Sequence, residues 1–273
     1  MDFSALWPLL LVLLVAGMVA GVVAGLLGVG GGIVLVPVLE YSLRFSGVPP
    51  EWCMHVAVAT SLAVIIPTAI SSSRAHHARG AVDWSLVKAW APGMLAGGLL
   101  GSLLAANAAG PLLTGGFGVM AALVAVKMFL PLDHLRLTNR VPRGWLGNLI
   151  AAVIGTFSSM MGIGGGTLSV PVMSLSGEPM HQAVGTASFF GLLLAAPGTL
   201  GYLLATPPVP LPALTIGWIS IAALVIVAPA SAMTAPFGAR LAHSIDKRRL
   251  SKLFGIFLCL VSLRMLYRTL LSP

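Results

Sequence analysis

Charge is what this sequence has least of. Of its 273 residues only 8% are Asp, Glu, Lys or Arg, against about 25% in a typical soluble domain. So few charges cannot cover a globule with hydrated surface, which excludes an ordinary soluble enzyme. With 58% of residues hydrophobic, disorder is excluded as well. Acids are scarcer still: seven Asp and Glu, all at the ends of apolar runs or in loops. No pair of carboxylates converges where an intramembrane enzyme would need ionisable groups, so the chain is not expected to be an enzyme. Two cysteines, Cys53 and Cys259, lack metal-ligand spacing and are expected to be inert core thiols. No Walker motif and no cofactor fingerprint occurs, so neither ATP drive nor a bound cofactor is expected. The net charge of +8 comes from basic residues in polar connectors without an aromatic ladder, and nucleic acid is not an expected partner.

What the sequence does have is length of apolar run. Spanning a hydrocarbon core takes about 20 apolar residues in a helix. Runs of that kind cover 5–43, 54–73, 84–106, 111–130, 145–175, 181–205, 211–240 and 250–270. The first lacks the basic flank and cleavage site of a signal peptide and is read as a membrane segment. The first and fifth runs exceed what one helix needs, and each carries a glycine cluster.

Those clusters belong to an internal repeat. Gly28-Val29-Gly30-Gly31-Gly32 with Pro37 returns 134 residues later as Gly162-Ile163-Gly164-Gly165-Gly166 with Pro171. His55-x-Ala57-Val58-x-Thr60 returns as His181-x-Ala183-Val184-x-Thr186, and Pro92, Gly101 and Phe117-Gly118 return as Pro229, Gly238 and Phe254-Gly255. The expected organisation is a first half at 1–134, a basic cytoplasmic linker at 135–143 and a second half at 144–273. If each glycine-broken run enters and returns, Arg74, Arg79, Lys88, Lys127, Arg136, Arg140, Arg143, Arg240, Lys247, Arg248, Arg249 and Lys252 share one side. Only Arg44, Arg264 and Arg268 lie on the other. Corresponding loops also exchange charge: 74–88 is basic and 205–212 is not, while 107–110 is uncharged and 240–252 is basic. That is the signature of inverted repeats. The expected fold is therefore an all-α polytopic membrane protein of two tandem halves. Each is a glycine-broken hairpin plus three transmembrane helices, with eight long apolar runs and eight to ten crossings. The basic loops would be cytoplasmic and both termini periplasmic.

The G-x-G-G-G-x₄-P signature in both halves, each followed by A-V-x-T, with a basic stretch before Val82-Asp83-Trp84 in the first, resembles the TauE/SafE family of sulfite and organosulfonate exporters, the TSUP transporters. The resemblance runs from about residue 15 to 268. It implies a secondary carrier of the bacterial inner membrane for a small sulfur-containing anion such as sulfite, thiosulfate or a sulfonate.

Physical chemistry gives the glycines a role of their own. A triple glycine unwinds a helix cheaply, and bared amides are tolerated at depth only where they pack in protein or line a polar cavity. Helices resuming at Ile33 and Thr167 would aim their N-terminal amides at an anion. The candidate substrate-binding residues are Gly30, Gly31, Gly32, Ile33, Thr60, Ser61, Gly164, Gly165, Gly166, Thr167, Thr186 and Ser188. Ser158, Ser159 and Ser169 flank the second cluster as further donors. Each hydroxyl can equally bond its own or a neighbouring helix, and for Gly97 and Gly98 close helix packing is the expected role. His55 and His181, at equivalent positions, are candidates for proton coupling, with capping of the following helix as the alternative. His76 and His77 are expected to form a basic edge with Arg74 and Arg79, too few ligands for a metal site. Glu40, whose counterpart is Ser174, reads as an interfacial residue. The expected partners are the anion, the bilayer, a proton or other coupling ion and, as an open option, a second copy of the chain. A passive anion channel of the same architecture and a non-transport membrane protein are the alternative functions.

Overall fold

The computed structural model describes residues 3–28, 30–129, 138, 140–212, 214–242 and 247–271. Val29 of the first glycine cluster and Arg136 of the linker lie outside the described residues, as do the side chains of Lys247, Arg248, Arg249 and Lys252. Helices dominate: α1 (Phe3–Leu27), α2 (Gly32–Leu43), α3 (Cys53–His77), α4 (Trp84–Ala106), α5 (Gly110–Phe129), α6 (Gly144–Met161), α7 (Gly166–Leu175), α8 (Met180–Leu204), α9 (Ile221–Leu241) and α10 (Lys247–Leu271). A two-residue hairpin, β1 (Thr215–Ile216) and β2 (Ile219–Ser220), precedes α9.

Seven of these helices are long and apolar enough to cross a membrane: α1, α3, α4, α5, α6, α8 and α9. The eighth expected run, α10, is 25 residues long, but its sequence includes six Lys and Arg. Large apolar side chains line the outside; Leu123, Leu263 and Met233 are 61%, 69% and 80% exposed. Water would penalise such a belt, whereas hydrocarbon would not. The chain is a polytopic all-α membrane protein. The run at 211–240 is shorter than the sequence suggests, because Pro207, Pro208, Pro210 and Pro212 keep its first part out of helix and α9 starts only at Ile221. Cys53 is buried as expected, but Cys259 is exposed on the outer face of α10.

Small residues set the packing. Gly17, Gly21 and Gly25 of α1 lie against Val227, Ser231 and Ala235 of α9, and Gly93, Gly97 and Gly101 of α4 against Asn148, Ala152 and Thr156 of α6. Residue numbers rise together in both pairs, so each pair runs parallel. Glycine at every fourth residue lets the backbones approach closely. Thr60, Thr68 and Ser71 of α3 meet Ser220, Ser231 and Ala232 at and along α9, again in parallel. Gly98 and Ser102 of α4 meet Leu194 and Gly201 of α8 likewise. By contrast, α5 and α10 are antiparallel, with Gly115 beside Thr269, Gly118 beside Leu266 and Gly255 beside Phe129. So α1, α3, α5 and α9 run one way, and α4, α6, α8 and α10 the other. The start of α1 and the end of α10 lie on one face of the bundle, the terminal face. The last turns of α3, α5 and α9 lie on the opposite face, the linker face.

Adding a side chain at these contacts overpacks them, at about 1–3 kcal/mol or more. Gly21→Leu and Gly97→Leu, where even a Cβ would collide with the backbone of α9 or α6, should lower the melting temperature by several degrees or abolish folded protein. Gly191→Ala, whose new methyl would meet Ala69 Cβ at an ordinary 3.5 Å, should leave melting unchanged or raised. Size-exclusion profiles and thermal melts in detergent check both.

Candidate functional site

The two glycine clusters do break their helices. α1 stops at Leu27 and α2 starts at Gly32; α6 stops at Met161 and α7 starts at Gly166. Gly28, Gly30 and Gly31 have φ of 66, 75 and 76°, and Gly162 has 65°, left-handed backbone that glycine adopts without penalty. The reversal brings Gly31 back against Ala20 of α1, so α2 returns toward the terminal face. α2 has 12 residues and α7 has 10, about half the length needed to span hydrocarbon.

The breaks meet each other. A Cβ on Gly30 would stand 3.1 Å from Gly164 Cα, and one on Gly32 would collide with the Gly162 carbonyl. Gly28 abuts Val184 of α8, and in the equivalent contact Gly162 abuts Val58 of α3. Each broken segment therefore leans on the long helix that follows the other break. Ser61 Oγ donates to Gly162 O at 2.8 Å, tying α3 to the second break. At the start of α2, Val34 and Leu35 both donate to Gly31 O. At the start of α7, Ser169 N donates to Gly165 O at 3.1 Å. Neither N-cap makes a side-chain hydrogen bond to its first turn. Two positive helix ends thus begin beside one buried point, without a basic residue.

The hydroxyls separate into spent and unspent. Thr60 Oγ1 accepts from Ser220 N, and Thr186 Oγ1 from Asp83 N, both at 3.0 Å. Ser220 and Asp83 are the N-caps of α9 and α4, so the repeated threonines hold equivalent helix starts, away from the breaks. Ser188 Oγ donates to Gly185 O in its own helix, Ser169 Oγ to Gly165 O, and Ser159 Oγ to Gly98 O. Ser158 Oγ and Thr167 Oγ1, on either side of the second break, are buried with no partner. Of the twelve expected site residues, the structure gathers the six glycines with Ile33, Ser61 and Thr167; it puts Thr60, Thr186 and Ser188 to structural use. Ser158 gains weight as the other unspent hydroxyl flanking the second break. Gly97 and Gly98 pack against α6 and α8, as expected.

The paired histidines have unlike surroundings. His55 is fully buried, stacks on Trp218, lies tilted against Trp52, and makes a 2.9 Å bond with Ala108 O; it does not cap its helix. His181 is exposed at the start of α8. His76 is not part of a basic edge: it is buried, 2.9 Å from Gly25 O, and joins the ends of α3 and α1. His77 Nδ1 accepts from Trp84 Nε1. Glu40 is likewise more than interfacial. It is 1% exposed and bonds Arg44 of the turn after α2 and Arg268 of α10, with Arg264 Nη2 3.9 Å away. One buried carboxylate thereby clamps the returning half-helix to α10 at the terminal face. Sequence spacing could not show the clamp, because Arg264 and Arg268 lie more than 200 positions from Glu40.

The model of the family described as "Sulfite exporter TauE/SafE" matches residues 13–265. The chain belongs to the sulfite exporter TauE/SafE family. Relatives in it include a protein named "Probable membrane transporter protein" from Haemophilus influenzae, 30% identical over 94% of this chain and 97% of its own. Another is "Probable membrane transporter protein YunE" of Bacillus subtilis, 26% identical over 96% and 98%. A "Probable membrane transporter protein" of Methanocaldococcus jannaschii is 24% identical over 97% of each chain. No solved structure matches. The TauE/SafE model thus takes in both glycine breaks and both half-helices.

Two outcomes follow from the spent groups. Thr60→Val strips the buried Ser220 amide of its acceptor and Thr186→Val the half-buried Asp83 amide, at about 1–3 kcal/mol for the buried one, so both should lower the melting temperature, Thr60→Val by more. Glu178, in the turn before α8, has its carboxyl pushed above the ordinary range by burial and then by the Asp83 carboxylate, against Arg143 and His181. A raised carboxyl in the folded state costs stability as pH climbs through the unfolded value and on to the folded one. Glu178→Gln should therefore raise the melting temperature at pH 7.5 and give no gain below the ordinary carboxylate range, as paired melts at the two pH values would reveal.

Proposed function

We propose that this chain is a secondary carrier that moves a small sulfur-containing anion, such as sulfite, thiosulfate or an organosulfonate, across the bacterial inner membrane by alternating access. The observation that carries the reading is the meeting of the two breaks. Two half-helices start from one buried place, neither with a side-chain cap on its first turn, and Ser158 and Thr167 flank the second break with unspent hydroxyls. Oxyanion oxygens are acceptors only, so a site made of donors and helix dipoles suits them. No arginine is needed at depth, where a charge is costly.

The two halves, 1–134 and 144–273, are taken as inverted repeats. Equivalent helices support this: α1 and α6, α3 and α8, α4 and α9, and α5 and α10 each pair a member of one direction with a member of the other. A site at the junction of such halves can open to either face when one moves against its partner. The linker face is assigned to the cytoplasm, because Arg74, Arg79, Lys88, Lys127, Arg140, Arg143 and Arg240 gather there while Arg44, Arg264 and Arg268 lie opposite. The unlike settings of His55 and His181 argue against matched roles in proton coupling.

The test uses the unspent hydroxyls, since larger residues at the glycines would break packing. In a thermal-shift screen of purified protein with sulfite, thiosulfate, sulfoacetate, taurine, sulfate and chloride at equal ionic strength, one sulfur anion should raise melting selectively. Ser158→Ala and Thr167→Val, which remove buried unpartnered groups, should fold as well as the wild type yet lose most of that shift. A shift that survives both substitutions would move the anion away from the breaks.

A further inference from the structure

A second anion-attracting feature lies far from the breaks. Between the last turns of α3 and α9, at the linker face, is a crevice of about 690 Å³, walled by Pro67, Ile70 and Pro236 and rimmed by Arg74, Arg79 and Arg240. Ser71 Oγ donates to Ala232 O at 2.7 Å and stitches the two helices together beside it. None of the three rim arginines is paired with a carboxylate among the described residues; the ion pairs found there use Arg44, Arg143, Arg264 and Arg268. Arg74 and Arg240 are exposed, and Arg79 donates only to Ala75 O of its own helix.

The equivalent place in the other half shows which solvent this crevice faces. By the spacing of the repeat, Arg74 corresponds to Leu200 and Arg240 to Leu103, between α8 and α4. Those leucines are 51% and 38% exposed, as suits contact with hydrocarbon. On α9, next to the crevice, Met233 and Phe237 are also exposed, at 80% and 58%. The crevice thus opens on the lipid-facing perimeter, and arginine has replaced leucine at one leaflet only. Its size points the same way. A water claims about 30 Å³ of liquid, so an anion of four heavy atoms would fill a small part of it, whereas a phosphate headgroup with the top of an acyl chain would match both rim and walls.

We infer that this crevice binds an anionic phospholipid of the linker-face leaflet, its phosphate held by Arg74, Arg79 and Arg240 and its upper chain laid against Pro67, Ile70 and Pro236. Clustered basic residues at the cytoplasmic ends of membrane helices recognise anionic headgroups in this manner. The inference does not depend on the identity of the transported anion.

The experiment compares dioleoylphosphatidylglycerol, dioleoylphosphatidylcholine, glycerol 3-phosphate and inorganic phosphate as additives to the full-length protein in detergent, read by thermal melting and native mass spectrometry. Phosphatidylglycerol should raise melting by about 4 °C or more and remain bound in the mass spectrum, and the other three should do neither. Arg74→Gln with Arg240→Gln should lose at least half of that gain, whereas Arg140→Gln, outside the crevice on the same face, should keep it. An equal gain from glycerol 3-phosphate or inorganic phosphate would reassign the crevice to a soluble anion and overturn the lipid. An undiminished gain in the double variant would overturn the site. Should that variant fail to fold, a photoactivatable phosphatidylglycerol on the wild type decides: labelling within 67–79 and 236–240 supports the site, and labelling only elsewhere overturns it.

Discussion

Backbone amides and carbonyls cannot be left open to hydrocarbon, and that constraint organises this molecule. Each half interrupts a helix at the glycine cluster and so bares polar backbone in the middle of an apolar bundle. The interruption is tolerable because each break is covered by the other half. Gly30 touches Gly164, Gly28 lies on Val184, Gly162 lies on Val58, and Ser61 bonds the Gly162 carbonyl. The point where the breaks meet is also where the two half-helices start, neither with a side-chain cap.

The surrounding helices serve that junction. Glycine ladders at Gly17-Gly21-Gly25 and Gly93-Gly97-Gly101 draw α1 to α9 and α4 to α6. Thr60 and Thr186 fix the starts of α9 and α4 by accepting the amides of Ser220 and Asp83. The halves differ most at their rims. Glu40 and its arginines clamp α2 to α10 at the terminal face, whereas Ser174 stands at the matching place in α7 and can form no such ion pair. The two rims of the molecule are thus built differently.

Much of this was legible in the residues. Composition and run length led to a membrane bundle, and excess length at the glycine clusters led to two broken helices that return. The matched spacing of the motifs led to the family. What stayed hidden has physical reasons. A repeated Thr looks the same whether it binds a ligand or a helix cap, because the pairing Thr60–Ser220 spans 160 residues. Glu40 looked peripheral because Arg264 and Arg268, which join Arg44 around it, come from the far end of the chain. His76 reads as a surface base until the Gly25 carbonyl is found beside it. The prolines of 207–212 shorten the seventh run, and a hydropathy window cannot weigh that against the apolar residues around them.

The most direct test is to locate the anion. Selenite carries the charge and shape of sulfite and scatters anomalously, so crystals grown or soaked with it would mark the site. The expected result is a selenium peak between the N-termini of α2 and α7, within hydrogen-bonding distance of their first amides and near Ser158 and Thr167. A peak confined to the arginines of the linker face or of the Glu40 cluster, with none at the breaks under conditions where sulfite binds, would contradict the central claim.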